Sequence, residues 1–156
     1  MKIKMLVMDV DGTLTDGHIY ISAEGEMMKA FHVQDGYAIA HLLPELGITP
    51  VIITGRRSQI VEKRAAELKI THLHQGILDK LSKLKEVAAQ LGATAGEIAY
   101  IGDDVNDLDC IHYCGYTACP ADAVCEVLDA VDYICKREGG RGAVREFIST
   151  IVSQGK

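Results

Sequence analysis

Apolar and polar positions fall into alternating blocks along this chain. The short apolar runs in KIKMLVMDV, TPVIIT, ITHLHQG, EIAYIGDD and YTACP predict strands. Between them, GYAIAHLLPEL, SQIVEKRAAEL, LDKLSKLKEVAAQLG and VNDLDCIHYC carry helical periodicity. On the longest of these, Leu78, Leu81, Leu84, Val87, Ala88 and Leu91 recur on one face. AVDYIC follows, then a last helix with an apolar stripe of Val144, Phe147, Ile148, Ile151 and Val152. One segment breaks the alternation: GHIYISAEGEMMKAFHV is patterned about a Glu-Gly turn, which predicts a β-hairpin over about 17–33. Near-continuous apolar strands alternating with helices imply a mostly parallel sheet covered on both faces. The expected fold is a single α/β, Rossmann-like domain over 1–156, with the hairpin as its decoration.

Composition narrows the function classes. At 156 residues, 48% hydrophobic and 24% charged, the chain can bury one substantial core. A net charge of −6 disfavours a nucleic-acid surface. No apolar run approaches the roughly 20 residues that span a bilayer, and the run in MKIKMLVMDVDG is too short for a signal peptide. Cys110, Cys114, Cys119, Cys125 and Cys135 form no CxxC pair, so they read as free thiols in a reducing cytoplasm rather than zinc ligands.

Ligands of such sheets bind beyond the carboxyl ends of the strands. There Asp9 and Asp11 end the first predicted strand, Thr54 and Gly55 end the second, and Asp103 and Asp104 end a later one, while Lys80 opens the long helix. Residues two apart on a strand project to the same side, so Asp9 and Asp11 can reach one point. With Asp103 they make an all-oxygen set suited to Mg²⁺, which also relieves the repulsion between close carboxylates. Thr54 and Gly55, where strand gives way to helix, can hold a phosphate oxygen, and Lys80 adds a point charge. Together these groups would neutralise a phosphoryl group in transfer. Each motif alone is commonplace; their order and shared edge carry the inference.

DVDGT, then ITG, then a lone lysine opening a helix, then GDDVND, resemble the four motifs of the haloacid dehalogenase superfamily over essentially the whole chain. The resemblance implies that Asp9 is the nucleophile, giving an aspartyl-phosphate. It implies that Asp11 protonates the leaving oxygen and then activates water. Asp103 would bind Mg²⁺ with the Asp9 carboxylate and the Asp11 backbone carbonyl, Thr54 and Lys80 would hold phosphate, and Asp104 and Asp107 would support the site from behind.

About 45 residues separate Asp9 from Thr54 and about 23 separate Lys80 from Asp103, which leaves no room for a cap domain. An uncapped site admits water, so either the substrate is large or another subunit closes the site. Ile19, Tyr20, Ile21, Met27, Met28 and Phe31 give the hairpin more apolar surface than it can cover alone. EGGRGAVRE sets Arg141 and Arg145 in a glycine-rich stretch, either solvated or carried by a flexible tail (about 138–156) to a neighbour's anionic ligand.

HVQDG, ITGRRS, KRAAELKITHLHQG and GGRGAVRE further resemble the short, capless, tetrameric members that act on an eight-carbon sugar-acid phosphate in lipopolysaccharide biosynthesis. That likeness implies a homotetramer with sites at subunit interfaces. It also implies substrate contacts from Asp11, His32, Val33, Gln34, Asp35, Gly36, Thr54, Gly55, Arg56, Arg64, Lys80 and Asn106. Arg64 falls between Ile60, Val61 and Leu68 on an otherwise apolar helix face, with Arg57 one heptad earlier, a basic cluster suited to a sugar acid. The nearest rival is a phosphatase for a nine-carbon, sialic-type acid, whose relatives tend to carry an acid after the TG where Arg56 stands here. From another class, a phosphoacceptor signalling domain also uses clustered acids, but on separate strands and without DxDGT.

Overall fold

The computed structural model describes residues 2–155. Strands β1 (Met5–Met8), β4 (Thr49–Ile53), β5 (His72–His74), β6 (Ile98–Ile101), β7 (Tyr116–Cys119) and β8 (Tyr133–Ile134) form one sheet in the order β5-β4-β1-β6-β7-β8. Every neighbouring pair is parallel. Strands β2 (Tyr20–Ser22) and β3 (Gly25–Met28) make a separate antiparallel hairpin. The α/β, Rossmann-like expectation with a small hairpin is therefore met.

Alternation along β1 assigns its residues to two cores. Leu6 and Met8 pack with Ile39, Leu43, Val61, Ala65, Phe147 and Ile148 on one face. Met5 and Val7 pack with Leu84, Val87, Ile98, Tyr100 and Val127 on the other. The first face is covered by α1 (Val33–Tyr37), a π turn over Ala38–Leu42, α2 (Leu43–Glu45), α3 (Gln59–Glu67) and α7 (Ala143–Gln154). The second is covered by α4 (Lys80–Leu91), α5 (Leu108–Tyr113) and α6 (Cys125–Leu128). Side chains begin several of these helices: Ser58 caps α3 and Asp79 caps α4. Gly92, at φ 63, closes α4 in the left-handed conformation that glycine tolerates.

Several expectations are corrected. Leu78 lies ahead of the Asp79 cap, so it is 97% exposed and not on the α4 face. The stretch expected as a flexible tail over 138–156 is instead a turn followed by α7, with Ala143, Val144, Phe147, Ile148 and Ile151 buried. Thr54 and Gly55 stand in a loop ahead of the Ser58 cap, not at the helix start. Phe31 leaves the exposed hairpin surface and packs against the core.

Candidate active site

From β1 the chain moves outward to β4 and β5, then returns to β6 on the other side of β1. The switch point lies at the carboxyl ends of β1 and β6, where α/β sheets bind ligands. Asp9 follows β1 and Asp103 follows β6 by two residues. The Asp9 amide donates to the Ile101 carbonyl at 3.2 Å, which fixes one loop against the other. A shallow pocket there is lined by Asp9, Asp11, Thr54, Gly55, Arg56, Asp103, Asp104 and Asn106.

Three carboxylates, Asp9, Asp103 and Asp107, offer oxygens within 4.8 Å of one another. Asp107 is already saturated. Its Oδ1 accepts from Lys80 Nζ at 2.8 Å and Tyr100 Oη at 2.6 Å, and its Oδ2 accepts from the Asp103 and Asp104 amides at 3.0 and 3.2 Å. That leaves Asp9 and Asp103 as the carboxylates able to hold an ion, with Asp107 behind them. Lys80 is buried, and its Nζ also reaches Asp9 Oδ1 at 3.2 Å. Thr13 Oγ1 donates to Asp103 Oδ1 at 2.9 Å. Thr54 is buried at the pocket wall.

The electrostatics fit a cation. Burial, then repulsion from Asp107, raises the Asp9 pKa; burial, then Asp9, raises that of Asp103. Burial pulls Lys80 down, but Asp9 and Asp107 more than offset it and hold the ammonium charged. A buried and a half-buried carboxylate that resist ionising together, with an all-oxygen donor set, suit Mg²⁺. Asp9 and Asp103 would hold it.

Asp11 lines the same pocket but stands outside the three-carboxylate group. The strand ends at Met8, so the two-residue alternation expected of Asp9 and Asp11 does not apply. Its Oδ1 accepts from Lys29 Nζ at 2.6 Å, toward the hairpin. Only its backbone carbonyl remains as the expected third ligand.

The HVQDG and Arg64 group lies away from this pocket. His32 caps α1, its Nδ1 accepting from the Gln34 amide at 3.2 Å. Asp35 is buried and accepts from the Arg145 amide at 2.8 Å, which ties α1 to α7. Gly36 is buried beneath the Arg64 guanidinium, which a methyl there would strike. Arg64 also stacks 5.4 Å over Phe31 and pairs with Glu67 at 3.2 Å. Arg57 packs on Gly76 instead, so the two arginines do not form the single cluster expected from periodicity. Val33 and Gln34 face outward. Arg141 is exposed and pairs with Glu138 at 3.6 Å, while Arg145 sits in the first turn of α7 over the Tyr37 ring.

Sequence reasoning missed Lys29, Glu26 and Tyr100. Tyr100 carried a usable signal, since a tyrosine in a fully buried strand must find a partner for its hydroxyl. Lys29, at the foot of an apolar hairpin, carried none.

A metal-ready carboxylate pair, a buried lysine and a hydroxyl at the switch point of a parallel sheet define a phosphoryl-transfer hydrolase of the α/β class. Residues 69–148 match the haloacid dehalogenase-like hydrolase family. The 3-deoxy-D-manno-octulosonate 8-phosphate phosphatase of Yersinia pestis is 44% identical over 150 residues, covering 96% of this chain and 80% of that protein. The Escherichia coli K12 enzyme of the same name is 42% identical over 155 residues, covering 99% and 82%. Among solved structures, the Moraxella catarrhalis phosphatase in complex with magnesium, phosphate and KDO superposes with a TM-score of 0.92 at 42% identity, covering 97% of this chain and 86% of that one. The chain belongs to the haloacid dehalogenase-like hydrolases.

Proposed function

We propose that this protein is a phosphoric monoester hydrolase that uses Mg²⁺ to convert 3-deoxy-D-manno-octulosonate 8-phosphate to the free sugar acid and phosphate. One observation carries this: Asp9, Asp103 and buried Lys80 converge at the switch point of a chain that matches phosphatases of that name over nearly its whole length.

The Asp9 carboxylate attacks phosphorus and the bond to the sugar oxygen breaks, while Asp11 gives that oxygen its proton. Water, losing a proton to Asp11, then attacks the aspartyl-phosphate, releases phosphate and restores Asp9. Division into two displacements lowers a barrier that is very high uncatalysed. Lys80 and Thr54 would face the phosphoryl oxygens, and Asp107 holds Lys80 in place. Asp9, Asp103 and the Asp11 carbonyl would hold Mg²⁺, which would supply the positive charge that lets a carboxylate approach a phosphate dianion. Gly55, Arg56 and Asn106 line the same pocket and would contact the substrate, with Asp104 at its rim.

His32, Val33, Gln34 and Arg64 lie outside that pocket, so contacts from them would go to substrate held by a neighbouring copy. We infer a homotetramer whose subunits complete one another's sites, with Arg141 reaching across. A cytoplasmic location follows from the proposed pathway step. It also suits the five free cysteines, three of them buried.

The test is phosphate release from the eight-carbon sugar-acid 8-phosphate, a nine-carbon sialic-type 9-phosphate and p-nitrophenyl phosphate, each with Mg²⁺ and with chelator. The expected result is Mg²⁺-dependent turnover with the highest kcat/KM on the eight-carbon acid. Preference for the nine-carbon acid would reassign the substrate. No Mg²⁺-dependent release from any ester would reject the enzyme.

A further inference from the structure

We propose that Lys29, on the hairpin, is a positioning residue that aims the acid–base carboxylate of Asp11; this rests on the role proposed above for Asp11. Lys29 follows β3 and its side chain is only 2% exposed. A buried ammonium is costly unless paired, and the described partners of this one are two carboxylates. Its Nζ lies 2.6 Å from Asp11 Oδ1 and 3.2 Å from Glu26 Oε2. Glu26 is held in turn from the loop after β4: Ser58 Oγ donates to its Oε1, and the Arg56 guanidinium lies 4.0 Å from its Oε2. Ser58 is itself pinned, its amide donating to Gln75 Oε1 at 2.9 Å and its Oγ accepting from the Val61 amide at 3.3 Å. The ammonium is thus fixed by both the hairpin and the loop that carries Thr54 and Arg56.

This matters because Asp9 and Asp103 are fixed from elsewhere in the site, while Asp11 depends on Lys29. Asp9 is held by Lys80, and Asp103 by Thr13. Asp11 follows the end of β1, and its side-chain carboxylate accepts from Lys29. A group that must give and then take a proton works within hydrogen-bond reach of the reacting oxygen. A displacement of about 1 Å can cost on the order of a hundredfold. A role confined to holding the hairpin down would need only the Glu26 contacts with Ser58 and Arg56. The bond to Asp11 is additional.

The full-length protein with Mg²⁺ tests this in Lys29→Met, which keeps the aliphatic stem, Lys29→Arg, Asp11→Asn and the Lys29→Met/Asp11→Asn pair. Single-turnover rates are read on the sugar-acid 8-phosphate, whose alkoxide must be protonated as it leaves, and on p-nitrophenyl phosphate, whose leaving group needs no proton. Lys29→Met should slow the sugar ester about 10- to 100-fold, change nitrophenolate release by less than about threefold, and leave KM within about threefold. Lys29→Arg, with its charge displaced, should show the same split at smaller size, and it serves as the readout if Lys29→Met does not fold. On the Asp11→Asn background Lys29→Met should cost nothing more. Equal slowing of both esters, or an undiminished further loss on the Asp11→Asn background, would overturn the proposal in favour of a purely structural lysine. An unchanged rate in Lys29→Met beside an inactive Asp11→Asn would also overturn it, with the Asp11 assignment intact. Full sugar-ester activity in Asp11→Asn would instead remove the acid–base role of Asp11 itself.

Discussion

Gly12 carries no side chain because Asp103 occupies the space one would need. A methyl there would overlap the Asp103 carboxylate, and the backbone stands at φ +89, where L side chains are strained. Gly12→Ala should therefore displace the carboxylate, weaken Mg²⁺ binding at least tenfold by titration calorimetry, and leave the fold in place. Asp9→Asn should lower turnover by on the order of 10³-fold or more, as loss of a nucleophile does, with an unchanged far-UV spectrum. The same carboxylates set a pH dependence. In the metal-free chain burial and repulsion from Asp107 push Asp9 up to about 6, and burial and repulsion from Asp9 push Asp103 up to about 8, both from 3.8. Both shifts are upward, so the stability they contribute is full below the unfolded value and is lost as pH rises through those two values. Mg²⁺ must displace the same protons, so its affinity should climb with pH across that window. Melting in chelator should accordingly fall between about pH 5 and about pH 8 by a larger margin in the parent chain than in Asp103→Asn. DxDGT, ITG, the helix-opening lysine and GDD were legible in the sequence because their chemistry needs fixed residue types at strand ends. Lys29 was not, because its partnership with Asp11 depends on how a hairpin folds back over the sheet edge.

At the scale of elements, periodicity located every long helix and the apolar strands, since each buries a face that must repeat at 3.6 or 2 residues. It failed where length was too small for a pattern. α6 has four residues and is not among the helices the pattern predicts; the helix predicted over GYAIAHLLPEL is present, with a π turn over Ala38–Leu42 that the pattern does not show. Glycines made the 138–142 stretch look mobile, yet they allow close packing. Gly139 and Gly140 lie against the backbone of Gly12, Thr15 and Asp16, where a methyl would collide. The helix that follows is fastened at both edges of its first turns. Asp35 accepts from the Arg145 amide, and Glu146 accepts from the Lys136 and Arg137 amides and the Tyr133 hydroxyl. α7 is therefore part of the core, and Phe147→Ala should cost roughly 3–5 kcal/mol in urea unfolding. A loss below about 1 kcal/mol would mean that α7 contributes little to the folded state.

For the whole molecule, the hairpin poses the remaining physical problem. Ile21 and Met27 are 68% and 67% exposed, with Met28, Val33 and Tyr37 also turned to solvent. Exposed apolar side chains of this kind are what a subunit interface would cover, and the hairpin that bears Ile21, Met27 and Met28 also holds Lys29 against Asp11. Assembly and catalysis would then meet in one element: a neighbour that covers the hairpin's apolar side also steadies its catalytic side. Ile21→Glu combined with Met27→Glu places charge in that contact without touching Asp9, Asp103 or Lys80. Native mass spectrometry should show a tetramer in the parent chain and smaller species in the variant. KM for the sugar acid should rise about tenfold, the loss of a little over 1 kcal/mol of binding, because contacts expected from a neighbour's Val33 and Gln34 would be gone. Single-turnover nitrophenolate release should hold, because Lys80, Asp9 and Asp103 come from one chain. A parent chain that is monomeric at working concentration, or a dissociated variant with unchanged KM, would show that each site is complete within its own subunit.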